Sequence, residues 1–176
     1  MKPEKYIKNY INGELVPPIS GNYIDLYSPA VGEVYAFAPD SSKKDVDEAV
    51  EAAEKAFPIW SSMGVKKRFR LMMRLADIIE QYLEDFAQAE TEDTGKPITL
   101  SRTIDIPRSH SNIRFFATAI AHFSSESHHI EHEAINYTLR QPIGVVGCIS
   151  PSRSTTRNGT SCDCALASAC STVIPI

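Results

Sequence analysis

Long hydrophobic runs are missing from this sequence of 176 residues. No stretch approaches the ~18 consecutive apolar residues of a membrane-spanning helix. Residues 1–20 (MKPEKYIKNYINGELVPPIS) also lack the apolar centre of a secretory leader. These absences point to a cytoplasmic protein with no membrane partner. Positive charge is not in excess either: 18 Lys and Arg stand against 22 Asp and Glu, and the formal net charge of -4 argues against a nucleic-acid partner. Cysteine is nearly absent from most of the chain. Cys148 stands alone before residue 152, whereas Cys162, Cys164 and Cys170 crowd into the C-terminal stretch. What is present, 43% hydrophobic and 23% charged residues with the signs interspersed, is the composition of a globular chain with room for one ordinary domain.

The first strand signals are Tyr6 to Ile11 and Glu14 to Val16, joined by Asn12-Gly13, the dipeptide that best tolerates a two-residue hairpin turn. A second pair, Tyr23 to Tyr27 and Val34 to Ala38, flanks a turn containing Pro29 and Gly32. Helix follows. Ser42 and Asp45 have capping spacing, and Val46, Ala49, Val50, Ala53 and Phe57 share one face, with Pro58 expected to stop the helix. Phe69, Met72, Leu75, Ala76, Ile79, Leu83 and Phe86 predict a second helical stretch of core character, closed by Thr94-Gly95. Asp105 is expected to cap a further helix with Pro107 in its first turn and Ile113, Phe116, Ala117 and Ile120 facing inward.

The periodicity then changes to two. Ile135, Tyr137 and Leu139 alternate with Asn136, Thr138 and Arg140, which predicts a strand. After Pro142 the run from Ile143 to Ile149 predicts a strand of a parallel sheet covered on both faces. Parallel neighbours require crossover connections, and the residues after 149 do not read as helix followed by strand, so the sheet is begun and not finished. From Ser152 to Ile176 there are nine Ser or Thr, three charged residues and no Lys, Glu or aromatic. The fold class expected is α/β, with residues 1–151 as a partial domain and 152–176 as a divergent, disordered tail.

Residues 7 to 151 resemble the amino-terminal portion of the aldehyde dehydrogenase superfamily. The resemblance rests on Tyr-Ile-Asn-Gly-Glu (10 to 14), Ser-Pro-Ala-Val-Gly-Glu-Val (28 to 34), the helix from Asp45 to Phe57 with Trp60, and Glu-Asp-Thr-Gly-Lys-Pro (92 to 97). It continues through Asp-Ile-Pro-Arg and Arg-Phe-Phe-Ala (105 to 117) to Gln-Pro-Ile-Gly-Val-Val-Gly-Cys-Ile-Ser-Pro (141 to 151), all in family order. The stretch from Arg102 to Ala117 looks most like the branch acting on muconic semialdehydes. The resemblance implies an incomplete Rossmann-like cofactor domain with a β-hairpin arm for oligomerisation, and NAD- or NADP-dependent oxidation of an aldehyde to an acid.

That chemistry needs a cysteine nucleophile, an oxyanion amide, a nicotinamide and a glutamate base. In the family the amide belongs to a Pro-Trp-Asn motif after the strand at 143–149, whereas here Pro151 is followed by Ser152 and Arg153. Ala165-Leu166-Ala167 and Thr172-Val173-Ile174 partly restore the pattern, which leads to the expectation that 152–171 arise from a shifted reading frame or alternative splice. The glycine-rich turn, the base and the nucleophile belong to family segments that these residues do not match. The expected catalytic set is therefore empty. The backbone of Ile149, Ser150 and Pro151, matching positions on the adenosine side of the cofactor, is the only cofactor-binding element carried over.

Other chemistry reads poorly. Cys162, Cys164 and Cys170 are not at zinc spacing, and His122, His128, His129 and His132 read as surface histidines, so no metal is expected. No tail cysteine has a neighbouring His or Glu in sequence to activate it, and Cys148 reads as a small buried hydrophobe. Lys96 lacks the glycines of a phosphate loop. The reading is an aldehyde dehydrogenase-like chain inactive alone. Its alternatives are a non-catalytic partner of full-length aldehyde dehydrogenase subunits through the 135–149 strands, or a gene product without function.

Overall fold

In the computed structural model, which describes residues 5–147, the chain opens with the expected hairpin. Strands β1 (Asn9–Ile11) and β2 (Glu14–Val16) pair antiparallel, and Asn12 and Gly13 both take positive φ, 53° and 87°, as a two-residue turn of matching twist requires. Its ladder begins three residues later than the sequence suggests. Tyr6 instead bridges in parallel to Phe37, where Ile7 N–H donates to the Phe37 carbonyl and Phe37 N–H to that of Lys5. The cause is aromatic: the Tyr6 ring stacks on Phe37 and meets Tyr23 edge-on, both at 4.9 Å. Strands β3 (Tyr23–Tyr27) and β4 (Val34–Pro39) form the second hairpin, irregular between Leu26 and Tyr27.

Helix α1 (Lys43–Ser61) starts as expected, with the Asp45 carboxylate accepting from the Ser42 backbone N–H and hydroxyl, both at 2.8 Å. Pro58 does not stop it; the helix runs one turn further to Ser61. The carbonyl of Glu54, which Pro58 cannot bond, belongs to an exposed residue within reach of water, and the Ser62 N–H and hydroxyl close the end on the Pro58 carbonyl.

The second helical stretch is two helices rather than one. α2 (Val65–Gln81) and α3 (Leu83–Thr94) meet at Tyr82, whose backbone (φ -102°, ψ 26°) leaves the helical region. Hydrogen bonds from Tyr82 to Ile78 and from Phe86 to Tyr82 carry the ladder across the bend, which no proline or glycine marks in sequence. Gly95 ends α3 in the left-handed conformation at φ 73°, as expected, and a Cβ there would stand 3.0 Å from that of Pro29.

Asp105 does not cap the next helix. A short α4 (Ile98–Leu100) leads into a π-helical turn at Ser101–Asp105 and then α5 (Ile106–Ala121), and Asp105 itself is helical. The Ile106 N–H reaches back five residues to the Ser101 carbonyl, widening the turn just before Pro107, which has no N–H to offer. The core is three-helical: Met72, Ala76 and Ile79 of α2, Ala87 of α3, and Ile106, Ile113 and Ala117 of α5 are buried together. Trp60, Phe69, Leu75, Phe86 and Phe116 pack around them.

A third hairpin, β5 (Ser127–Ile130) with β6 (Ala134–Tyr137), is exposed at every residue. The expected parallel strand from Ile143 onward is not formed among the described residues. Residues 141–147 belong to no strand, and Val145 and Val146 are 42% and 39% exposed rather than covered on both faces. A lone extended run acquires ladder hydrogen bonds only when parallel neighbours flank it, and the described chain supplies none. The described sheets are three two-stranded antiparallel hairpins. No described helix is long and apolar enough to cross a membrane.

Candidate functional site

The stripe on α1 predicted from helical spacing is real, but it is not buried. Val46 and Val50 are 55% and 41% exposed, and among the α1 side chains only Asp45 is fully enclosed. The stripe forms one wall of an open groove of about 340 Å³. Tyr10 and Ile11 of β1 close one side and Val145, Val146 and Gly147 the other. The beginning of the expected cofactor-domain strand thus runs past the apolar face of α1.

The three positions matched to the cofactor's adenosine side, Ile149, Ser150 and Pro151, lie outside the described residues, as do Cys148, the three tail cysteines and the whole of 152–176. The groove itself is not a phosphate pocket. The helix N-terminus beside it is already taken by an anion, because Asp45 caps α1 and also accepts the Ile19 N–H at 2.8 Å. Those hydrogen bonds, first from Ile19 and then from Ser42, hold the Asp45 carboxyl below its ordinary value. The described residues therefore offer a surface for packing a further element rather than a donor set for a pyrophosphate.

A second polar cluster of the described chain centres on Lys96. Lys96 extends its ammonium to Glu90 and Asp105, 2.8 Å from each. Burial alone would lower the Lys96 pKa, but the hydrogen bonds it donates to Asp105 and Glu90 outweigh it and raise the value above the usual 10.5. Nearby, the Tyr35 hydroxyl donates to the buried Asp93 carboxylate, and Thr91 and Ser101 share a hydrogen bond. These links join β4, α3 and the π turn around the segment Glu92 to Pro97. In sequence that segment carries the family resemblance, and nothing adjacent to Lys96 marks a role for it. The missed signal was the placing of Glu90 and Asp105 on either side of it, which spacing alone does not reveal.

On the surface, Arg102 holds Glu84 with two hydrogen bonds, 2.6 and 2.7 Å, and the guanidinium pulls the Glu84 pKa from 4.5 to about 2. A carboxyl depressed in this way contributes stability above its unfolded value of 4.5 and loses that contribution as pH falls through the folded value. The urea midpoint of the native chain is therefore expected to exceed that of Arg102→Gln at neutral pH. The difference should shrink between pH 4.5 and about 2 and vanish below. A difference independent of pH would remove the ion pair from the account. The histidines stand apart from this network. His128 and His129 are in β5, His132 is in the turn at φ 61°, and no group of three potential metal ligands occurs among the described residues.

The comparisons with known proteins agree with one another. Human 2-aminomuconic semialdehyde dehydrogenase is 47% identical over 146 residues, which is 82% of this chain and 30% of the relative. The 5-carboxymethyl-2-hydroxymuconate semialdehyde dehydrogenase of Escherichia coli is 38% identical over 148 residues, 84% of this chain and 31% of its own length. Among solved structures, the NAD+ complex of an aldehyde dehydrogenase from Bacillus cereus superposes with a TM-score of 0.74 at 35% identity, over 79% of this chain and 29% of that one. The chain thus spans about 30% of the length of the curated relatives it matches. Its α/β elements are those of the N-terminal part of their fold. The sequence profile of the aldehyde dehydrogenase family matches residues 16–174, beyond Pro151 and through the stretch that composition sets apart. With hairpins, helices and family profile in agreement over most of its length, the chain belongs to the aldehyde dehydrogenase family.

Proposed function

We propose that these 176 residues serve the family's reaction, the NAD- or NADP-dependent oxidation of an aldehyde to a carboxylic acid, as scaffold rather than as reacting groups. The observation that carries this reading is the open groove, where the apolar stripe of α1 and residues 145–147 face each other with nothing between them. Large apolar side chains left in this state each forgo roughly 1.5–3 kcal/mol that full burial would contribute, so the surface favours further structure to cover it. Muconic-type semialdehydes are the substrate class in view, from the likeness to the aminomuconic and hydroxymuconic enzymes. Neither a catalytic cysteine nor its base is assigned to any residue here. Ile149, Ser150 and Pro151 contribute at most backbone to an adenosine subsite completed by other segments.

Turnover tests this directly. The purified chain, mixed with NAD or NADP and a semialdehyde, is expected to give no reduced-cofactor absorbance above the enzyme-free rate. Steady turnover, or a thioester on any cysteine detected by mass spectrometry, would overturn the reading.

A second reading, a non-catalytic partner of full-length family subunits, has its own support in the third hairpin. Ile135 and Tyr137 are strongly exposed on a two-stranded sheet with open edges, and Leu139 just beyond it is exposed too, an arrangement that seldom persists without a partner. Co-expression with an intact relative, followed by affinity purification and native mass spectrometry, is expected to yield a mixed oligomer if this reading holds. A soluble monomer that never co-purifies would reject it.

A further inference from the structure

The ion pairs of the described helices use Lys43, Lys55, Lys96, Arg102 and Arg114. Another set of cations enters none of them: Lys66, Lys67, Arg70 and Arg74, all exposed, in the first ten residues of α2. Helical geometry puts the four on one face, within about 12 Å along the axis. The opposite face, with Met72, Ala76 and Ile79, is buried in the core. The placement is unfavourable for the helix itself. Cations in a first turn oppose the macrodipole, and α2 has no acidic residue there to offset them.

Charge is only half of the pattern. Leu71 and Ile78 border the same arc and are 43% and 41% exposed, while Ile59 in the last turn of α1, just before α2, is 70% exposed. A polyanion such as nucleic acid would use the cations and leave these apolar side chains in water. A lipid surface uses both, because ammonium and guanidinium groups meet the headgroup phosphates while leucine and isoleucine enter the acyl boundary.

We propose that this face of α2 docks on an anionic phospholipid surface. The interaction is peripheral. Its elements are a basic arc and a few apolar side chains, so the lack of a spanning segment, from which the sequence reading inferred no membrane partner, does not bear on it.

The test is co-sedimentation of the full chain with phosphatidylcholine vesicles, with and without phosphatidylserine. Binding is expected only to the anionic vesicles and is expected to weaken as salt rises. With each surface cation contributing about fivefold, the variant Lys66→Gln/Lys67→Gln/Arg70→Gln/Arg74→Gln should lose roughly several hundredfold in partition, enough to bring co-sedimentation to background. Leu71→Gln should lose less, and Lys43→Gln/Lys55→Gln, which removes cations elsewhere, should bind as the native chain does. Circular dichroism confirms that each variant keeps its helices. Equal binding to neutral vesicles, no binding to either kind, or an unchanged partition of the quadruple variant would overturn the proposal. So would salt-sensitive binding to polyglutamate or duplex DNA without binding to vesicles.

Discussion

Replacing Lys96 by methionine is expected to lower the stability of the chain by about 2–3 kcal/mol, read as a shift in the urea midpoint followed by circular dichroism. Methionine keeps most of the volume and removes only the charge. Two carboxylates then lose their shared partner. The Glu90 side chain is only 10% exposed, so its charge becomes an uncompensated one in a nearly dry setting. Asp105 is 38% exposed and recovers part of its loss from water, which places the cost below the 3–5 kcal/mol typical of fully buried pairs. The double variant Lys96→Met/Glu90→Gln separates the two contributions, since it removes the stranded charge, and should regain about half of the loss. The contribution also has a pH signature. With its pKa raised in the folded state, Lys96 stabilises fully below 10.5 and loses that contribution as pH rises through the higher folded value. A loss below about 0.5 kcal/mol in Lys96→Met would show that the network is not holding α3 to the π turn.

Truncating Ile106 to alanine should cost about 2–5 kcal/mol, with Ile106→Val costing about 0.5–1.5. Ile106 is 2% exposed and sits where the π turn becomes α5, among the buried side chains of α2 and α3. Its backbone N–H closes the π turn on Ser101 while its side chain fills the three-helix core, so one residue ties the local irregularity to the packing. The substitution leaves the backbone bond intact and opens only a cavity. Equal costs for the valine and alanine variants would mean that the backbone, not the side chain, carries the contribution.

The elements legible in the sequence were those specified by short-range chemistry. Asn12-Gly13 has the conformational tolerance that a two-residue turn requires, Gly95 the left-handed conformation that ends α3, and Ser42 with Asp45 the reciprocal cap of α1. The buried face of α2 follows from spacing at 3.6 residues per turn. Where expectation failed, the deciding partner was distant. Tyr6 left the hairpin for the Phe37 ring, and Asp105 left its capping role for Lys96, nine residues back. Pro58, a helix breaker by rule, was tolerated because the carbonyl it orphans lies at the surface.

By itself the sequence determined the family, the first two hairpins and the helix faces, because each depends on residue identity or on spacing within a few turns of chain. Tertiary structure alone decided that the α1 stripe lines an open groove, that residues 141–147 form no strand, and that Glu90, Lys96 and Asp105 meet. Burial and ion pairing are properties of what arrives from elsewhere in the chain. An apolar stripe records which face wants cover, and only packing determines whether the cover is there.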